Sequence, residues 1–228
     1  MIFVKKTSSQ IEMLKYIGAL AMLLDHVGVL FYPSVSEFRI IGRFAYPLFG
    51  YVLVHNYIFF STQKLTYIKK LFILAILYEP LHYYLFQNHY AGISIFFMYA
   101  MALSFFYIIE RSVIAIEKEK FTKEIKIMIF GVFLSFSIFI EYSMIGYLLI
   151  MAFYLAFNKN NFLSLSVVIF FSYLLNYPSV KYSLYTLLFL VILVIVSKID
   201  IAMPKNKHFF YLFYPIHITV LLIIKQIL

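Results

Sequence analysis

The sequence predicts an all-α protein, a polytopic transmembrane helix bundle of about nine helices with several proline-broken segments, N-terminus inside and C-terminus outside. Three observations lead there. Of 228 residues, 64% are hydrophobic and only 13% charged, with mean hydropathy +0.93. An ordinary soluble domain has roughly 45–50% apolar and 25% charged residues, so the surplus apolar surface has nowhere to go in water. The apolar runs are also long and continuous, whereas a barrel needs short alternating strands. Finally, lysine and arginine fall in alternate gaps between the runs. No soluble domain fits between the hydrophobic blocks, and residues 1–228 read as a single integral membrane domain.

Each expected span is near the roughly 20 residues a helix needs to cross a bilayer. In order they are Met13–Tyr32, Phe44–Phe60, Ile68–Phe86, Gly92–Glu110, Ile125–Ile140, Tyr142–Phe157, Phe162–Tyr177, Tyr182–Ser197 and His208–Leu228. The first follows Lys5 and Lys6 with no small-residue cleavage site behind it, which predicts an uncleaved helix rather than a removable signal peptide. Only Glu141 separates the fifth from the sixth, a spacing that suits a hairpin. With the N-terminus inside, Lys and Arg divide 15 to 4 in favour of the cytoplasm, the outer four being Arg39, Arg43, Lys181 and Lys225. The stretch Ile116–Lys126 alternates charge sign as a solvated hinge does.

The formal net charge of +9 is explained by inner-leaflet anchoring of these loops. No basic stripe or recognition motif supports a nucleic-acid partner; membrane lipids are the expected surroundings. Cysteine is absent, which removes disulfides, thiolate metal sites and a cysteine nucleophile. No two histidines share the i,i+4 ligand spacing on one helix, so no metal site is expected. There is no Gly-rich phosphate loop and no internal repeat, and the 21% of aromatic residues suit lipid contact, packing and interfacial tyrosines.

The chemistry-bearing residues lie inside the apolar blocks. Leu23–Leu30 carries Asp25 and His26 in the outer half of the first span. An ionisable group near mid-bilayer costs about 2.5–3.5 kcal/mol, so two in succession need partners, a hydrated cavity or a reaction. As i,i+1 neighbours they point roughly 100° apart and face different partners. A polar staple between helices would account for a single histidine; an Asp-His pair accompanied by further intramembrane charges reads as functional. Arg43 precedes Pro47, and the helix starting near Tyr46 or Pro47 would aim its amides at an anion beside it; the alternative is an arginine snorkelling from a helix end. Glu79 stands before Pro80, which removes a helical hydrogen bond and opens a polar break. Its partner is open between Arg43, His26 and a purely structural counter-ion. Pro215 does the same in the last span, two residues before His217, which could act as base or donor. His55 reads as a buried polar contact, while His82, His89 and Glu141 read as solvated.

The order of these motifs resembles the TraX family. The likeness is carried by Lys15–His26, Arg39-Ile-Ile-Gly-Arg-Phe-Ala-Tyr-Pro-Leu-Phe49, Tyr78-Glu79-Pro80, the Glu141–Gly146 turn and Tyr214-Pro-Ile-His217. Matching positions are Asp25, His26, Gly42, Arg43, Pro47, Glu79, Pro80, Tyr214, Pro215 and His217. Ser94-Ile-Phe-Phe-Met98 stands where relatives tend to carry Asn-x-x-x-Thr. The resemblance implies a multi-pass protein of the bacterial inner (cytoplasmic) membrane that acts as an acetyltransferase with acetyl-CoA as acyl donor. A member acts in conjugation, acetylating the terminal amine of a pilin. Here the acceptor would be an amine or hydroxyl of a pilin, another protein or an envelope glycan at the extracytoplasmic side. In that scheme His26 is the base or acyl carrier, Asp25 or Glu79 fixes its tautomer, and Arg43 stabilises the oxyanion. His217 binds the acceptor or relays a proton, and Lys69 and Lys70 either meet the phosphates of CoA or anchor the loop. The alternatives are a small proton-coupled transporter and a non-catalytic membrane assembly factor.

Overall fold

The computed structural model describes residues 2–86, 92–114, 123–199, 201–206 and 209–227. His89 and most of the polar stretch 116–126 lie outside them. The described chain is helical, with no β-strand: α1 (Ser8–Phe31), α2 (Ser36–Gly42), α3 (Ala45–Phe59), α4 (Lys64–Phe86), α5 (Ile95–Ile114), α6 (Lys123–Phe136), a 3-10 turn (Ser137–Phe139), α7 (Ser143–Lys159), α8 (Phe162–Leu174), α9 (Val180–Thr186), α10 (Leu188–Ser197) and α11 (Phe209–Ile227). These group into two compact units, one built from residues 1–55 and 152–228, the other from 56–151.

Helix ends follow local chemistry. Thr7 and Gln10 form a capping box, with Thr7 Oγ1 accepting from the Gln10 amide at 3.2 Å and Gln10 Oε1 from the Thr7 amide at 3.1 Å. Asn161 and Ser164 start α8 in the same way. The first helix stops at Tyr32, the residue before Pro33, where proline disfavours helical backbone.

In the first unit α1 packs against α2, α10 and α11. Close approach to α2 depends on glycine. A Cβ at Gly28 would overlap Phe38, and one at Gly42 would overlap the Asp25 carboxyl group. Phe3 sits against Tyr51, Phe153 and Phe157 at ring separations of 5.8, 6.1 and 5.4 Å, which draws the N-terminal arm into the core. The Lys6 amide donates to Nε2 of the fully buried His55 at 2.9 Å, so His55 is the polar contact its sequence position suggests. Lys6 Nζ is itself buried without a hydrogen-bond partner, and burial lowers its pKa. In the second unit α4 packs on α5 through Tyr78 and Phe96, and α5 meets α6 through Phe105 and Phe130.

Several expectations change. The helices are not broken at proline: α4 runs through Pro80 and α11 through Pro215. Proline removes one donor and crowds the carbonyl four residues back, here Ile76 and Tyr211, but packing can hold the remaining turns in line. Residues 36–42, which fall between the first two expected spans, form the short helix α2, and the stretch expected at Tyr182–Ser197 is two helices, α9 and α10, meeting at Leu187. The fourth span begins at Ile95 instead of Gly92, because Gly92 has φ +104° and Ile93 pairs with Ile140. That same pairing ends the fifth span before Ile140, which is extended. Among the described residues, Ser8–Phe31 and Val180–Ser197 are long and apolar enough to cross a membrane; Ser143–Lys159, Phe162–Leu174 and Tyr211–Ile227 are shorter apolar helices.

Candidate functional site

Asp25 and His26, adjacent on α1, do face different partners, and both are buried. Asp25 Oδ2 accepts from Arg39 Nη1 at 2.7 Å, and Arg43 Nη2 stands 3.6 Å from Oδ1. One carboxylate thus meets two guanidinium groups, one from α2 and one from the residue following it. Gly42 makes this possible, since it leaves the space beside Arg43 that the Asp25 carboxyl fills. Arg43 is held on its other sides: Nε donates to the Arg39 carbonyl at 3.1 Å and Nη1 to Asn176 Oδ1 at 2.8 Å. Its guanidinium lies 5.3 Å from the centre of the Tyr182 ring. Asn176 Nδ2 in turn donates to Thr186 Oγ1 at 2.7 Å, tying the network to α9. With two arginines on one acid, the cluster keeps a surplus positive charge on a rigid mount, as an anion-stabilising site requires.

His26 looks towards α11. Its Nδ1 lies 3.0 Å from His217 Nε2, the ring planes 12° from parallel. His217 Nδ1 lies 2.8 Å from the Phe213 carbonyl. A carbonyl only accepts, so His217 Nδ1 carries a proton. With both rings neutral, His217 Nε2 is then an acceptor, His26 Nδ1–H donates to it, and the lone pair of His26 resides on Nε2. The residue that fixes the tautomer through Nδ1 is therefore His217, where the sequence suggested Asp25 or Glu79. Tyr214 packs edge-on against both imidazoles, with ring centres 6.4 Å from His26 and 5.2 Å from His217.

Glu79 belongs to the second unit, and its contacts there are local. Its Oε2 accepts from the Ser94 amide at 3.0 Å, and Oε1 lies 3.9 Å from His82 Nδ1. A backbone donor serves regardless of side chain, so Ser94 anchors the acid through its amide. His82 Nε2 meets Glu141 Oε1 at 3.1 Å. The structure overturns the solvated reading of these two residues: His82 is buried, and the Glu141 side chain is only 12% exposed. Lys69 and Lys70 are exposed on α4. Among the described residues no group of three or more His, Cys, Asp or Glu is arranged to hold a metal.

Sequence reasoning missed Arg39, Asn176 and His82 as members of these networks. Arg39 had a usable signal, the four-residue spacing to Arg43 on one helical face. Asn176 had none, because a lone asparagine near a helix end is ordinary.

The fold and site thus define a helical protein with apolar helices, a buried imidazole pair and an acid clamped by two arginines. The family model described as TraX protein matches residues 10–225, and the chain belongs to that family. An uncharacterized protein of Rickettsia prowazekii (strain Madrid E) is 35% identical over 57 residues, covering 25% of this chain and 23% of that protein. The chain therefore spans well under two thirds of the length of this relative. No solved structure matches.

Proposed function

We propose that the protein is an integral membrane acetyltransferase that moves an acetyl group from acetyl-CoA to an amine or hydroxyl acceptor at the extracytoplasmic side. Family membership supports the class, and the His26–His217 pair is the observation that carries the chemistry. In this reading His26 Nε2 removes the acceptor's proton as the acceptor attacks the thioester carbonyl. Thiolate leaves, and the proton passes from the imidazolium to it. His217, held by the Phe213 carbonyl, keeps the His26 lone pair on Nε2 and shares the charge that develops. Arg43 and Arg39, mounted on Asp25, supply the positive field for the tetrahedral oxyanion. Glu79 is a second candidate acid, anchored by Ser94. The acceptor class comprises a pilin, another protein or an envelope glycan.

The multi-pass, N-in arrangement in a bacterial inner membrane belongs to the same proposal. It is supported by two apolar helical stretches of spanning length, α1 and the α9–α10 pair taken together, and by apolar side chains turned outward, such as Leu77 on α4 and Phe162 and Leu163 on α8.

The test is acetyl transfer from labelled acetyl-CoA in membranes containing wild-type or His26→Ala protein, together with mass spectrometry of envelope proteins and glycans. His26→Ala is expected to insert normally and to lose roughly 10²–10⁴ in rate. Near-normal transfer by that variant refutes the assignment of the base.

A further inference from the structure

We propose that an open cleft at the start of α4 is a binding site for a phosphate-bearing ligand, with Arg111 its principal contact. The cleft measures about 430 Å³ and lies wholly within the second unit. Thr62, Lys64 and Thr66 line it from the entry and first turn of α4, and Tyr107, Glu110 and Arg111 from the last turns of α5. Its size suits a small ligand group.

The charges in the cleft are unequally committed. Lys64 Nζ is 2.7 Å from Glu110 Oε2, and the same oxygen accepts from Tyr57 at 2.9 Å. Lys64 is thus largely neutralised. Arg111 is exposed, its guanidinium 5.3 Å from the centre of the Tyr107 ring, and no carboxylate bonds it among the described residues. The cation–π contact with Tyr107 restrains the guanidinium without using its N–H groups, which are left for an oxyanion. Two threonine hydroxyls and the first amides of a long helix add donors on the facing wall. A guanidinium fork, hydroxyls and helix-start amides together match the several oxygens and multiple charge of a phosphate or diphosphate. Glu110 lies in the same wall, but Lys64 and Tyr57 both bond its Oε2, which limits the repulsion an anion meets there.

The anion site stands on its own geometry within the second unit and does not depend on the transferase reading. It moves the phosphate contact away from Lys69 and Lys70, which lie further along α4 and do not line the cleft.

The experiment is calorimetric titration of inorganic pyrophosphate into the purified full-length protein in neutral-lipid nanodiscs. Arg111→Ala is expected to weaken binding about tenfold or more, Arg111→Lys less, and the Lys69→Ala/Lys70→Ala pair hardly at all. Binding unchanged in Arg111→Ala, or lost in the lysine pair instead, overturns the proposal. Because Arg111 is exposed, its replacement should leave the melting temperature unchanged, which the same samples report. Nanodiscs containing phosphatidylglycerol separate the sources. Pyrophosphate binding that persists identifies a soluble phosphate ligand, whereas Arg111-dependent displacement identifies a lipid headgroup at the same site. If pyrophosphate binds through Arg111 but no acetyl transfer is found, the site stands and the transferase reading falls.

Discussion

Asp25 can reach two arginines only because residue 42 has no side chain. The space a Cβ would need there is already filled by the Asp25 carboxyl. Gly42→Ala should therefore push the acid off its guanidinium partners and cost about 1–3 kcal/mol, as overpacking does. Thermal unfolding in detergent checks the stability, and loss of acetyl transfer out of proportion to that shift would tie the clamp to activity. The same physics explains which site residues could be read from the chain. Asp25, His26, Arg43 and His217 stand out because an ionisable group inside an apolar run demands a reason. Arg39 and Asn176 were hidden, because each sits beside an interruption where polar residues are ordinary. His82 looked like an interfacial histidine, and only the fold of the second unit shows it buried against Glu141.

Among the elements, the junction before α5 tolerates little change. Gly92 has φ +104°, and a Cβ there would come within 2.8 Å of the Phe139 carbonyl oxygen. Around it, the Ile93 amide donates to Phe139 O at 2.8 Å and the Glu141 amide to Ile93 O at 3.0 Å. Gly92→Ala should destabilise the second unit by about 1–3 kcal/mol, from strain at positive φ and the clash together. Faster amide exchange at Ile93 and Glu141 would register it; unchanged exchange would show that the pairing yields easily. Helical type and the order of most elements were legible from the long apolar runs. What escaped were the short helix α2, the α9–α10 division and this pairing, since each depends on partners distant in the chain. The prolines misled for a related reason. Pro80 and Pro215 weaken a helix locally, yet whether it breaks is settled by packing that sequence does not display.

Across the whole molecule, charge asymmetry makes the firmest forecast. With 15 of 19 Lys and Arg on one side of the expected spans, reporter fusions after α1 should score as external and those in the 115–122 region as cytoplasmic. The reverse pattern would invert the proposed arrangement of donor and acceptor sides. Composition made the class of protein readable at this scale, while the division into two units was not, because no linker or change of composition marks residues 55 or 151.

The His26–His217 contact joins positions 191 residues apart, the first helix to the last. A product that lacks α11 therefore carries His26 without the imidazole that sets its tautomer. Under the transferase proposal, loss of α11 by premature release or proteolysis would leave the base without that partner and acetyl transfer impaired.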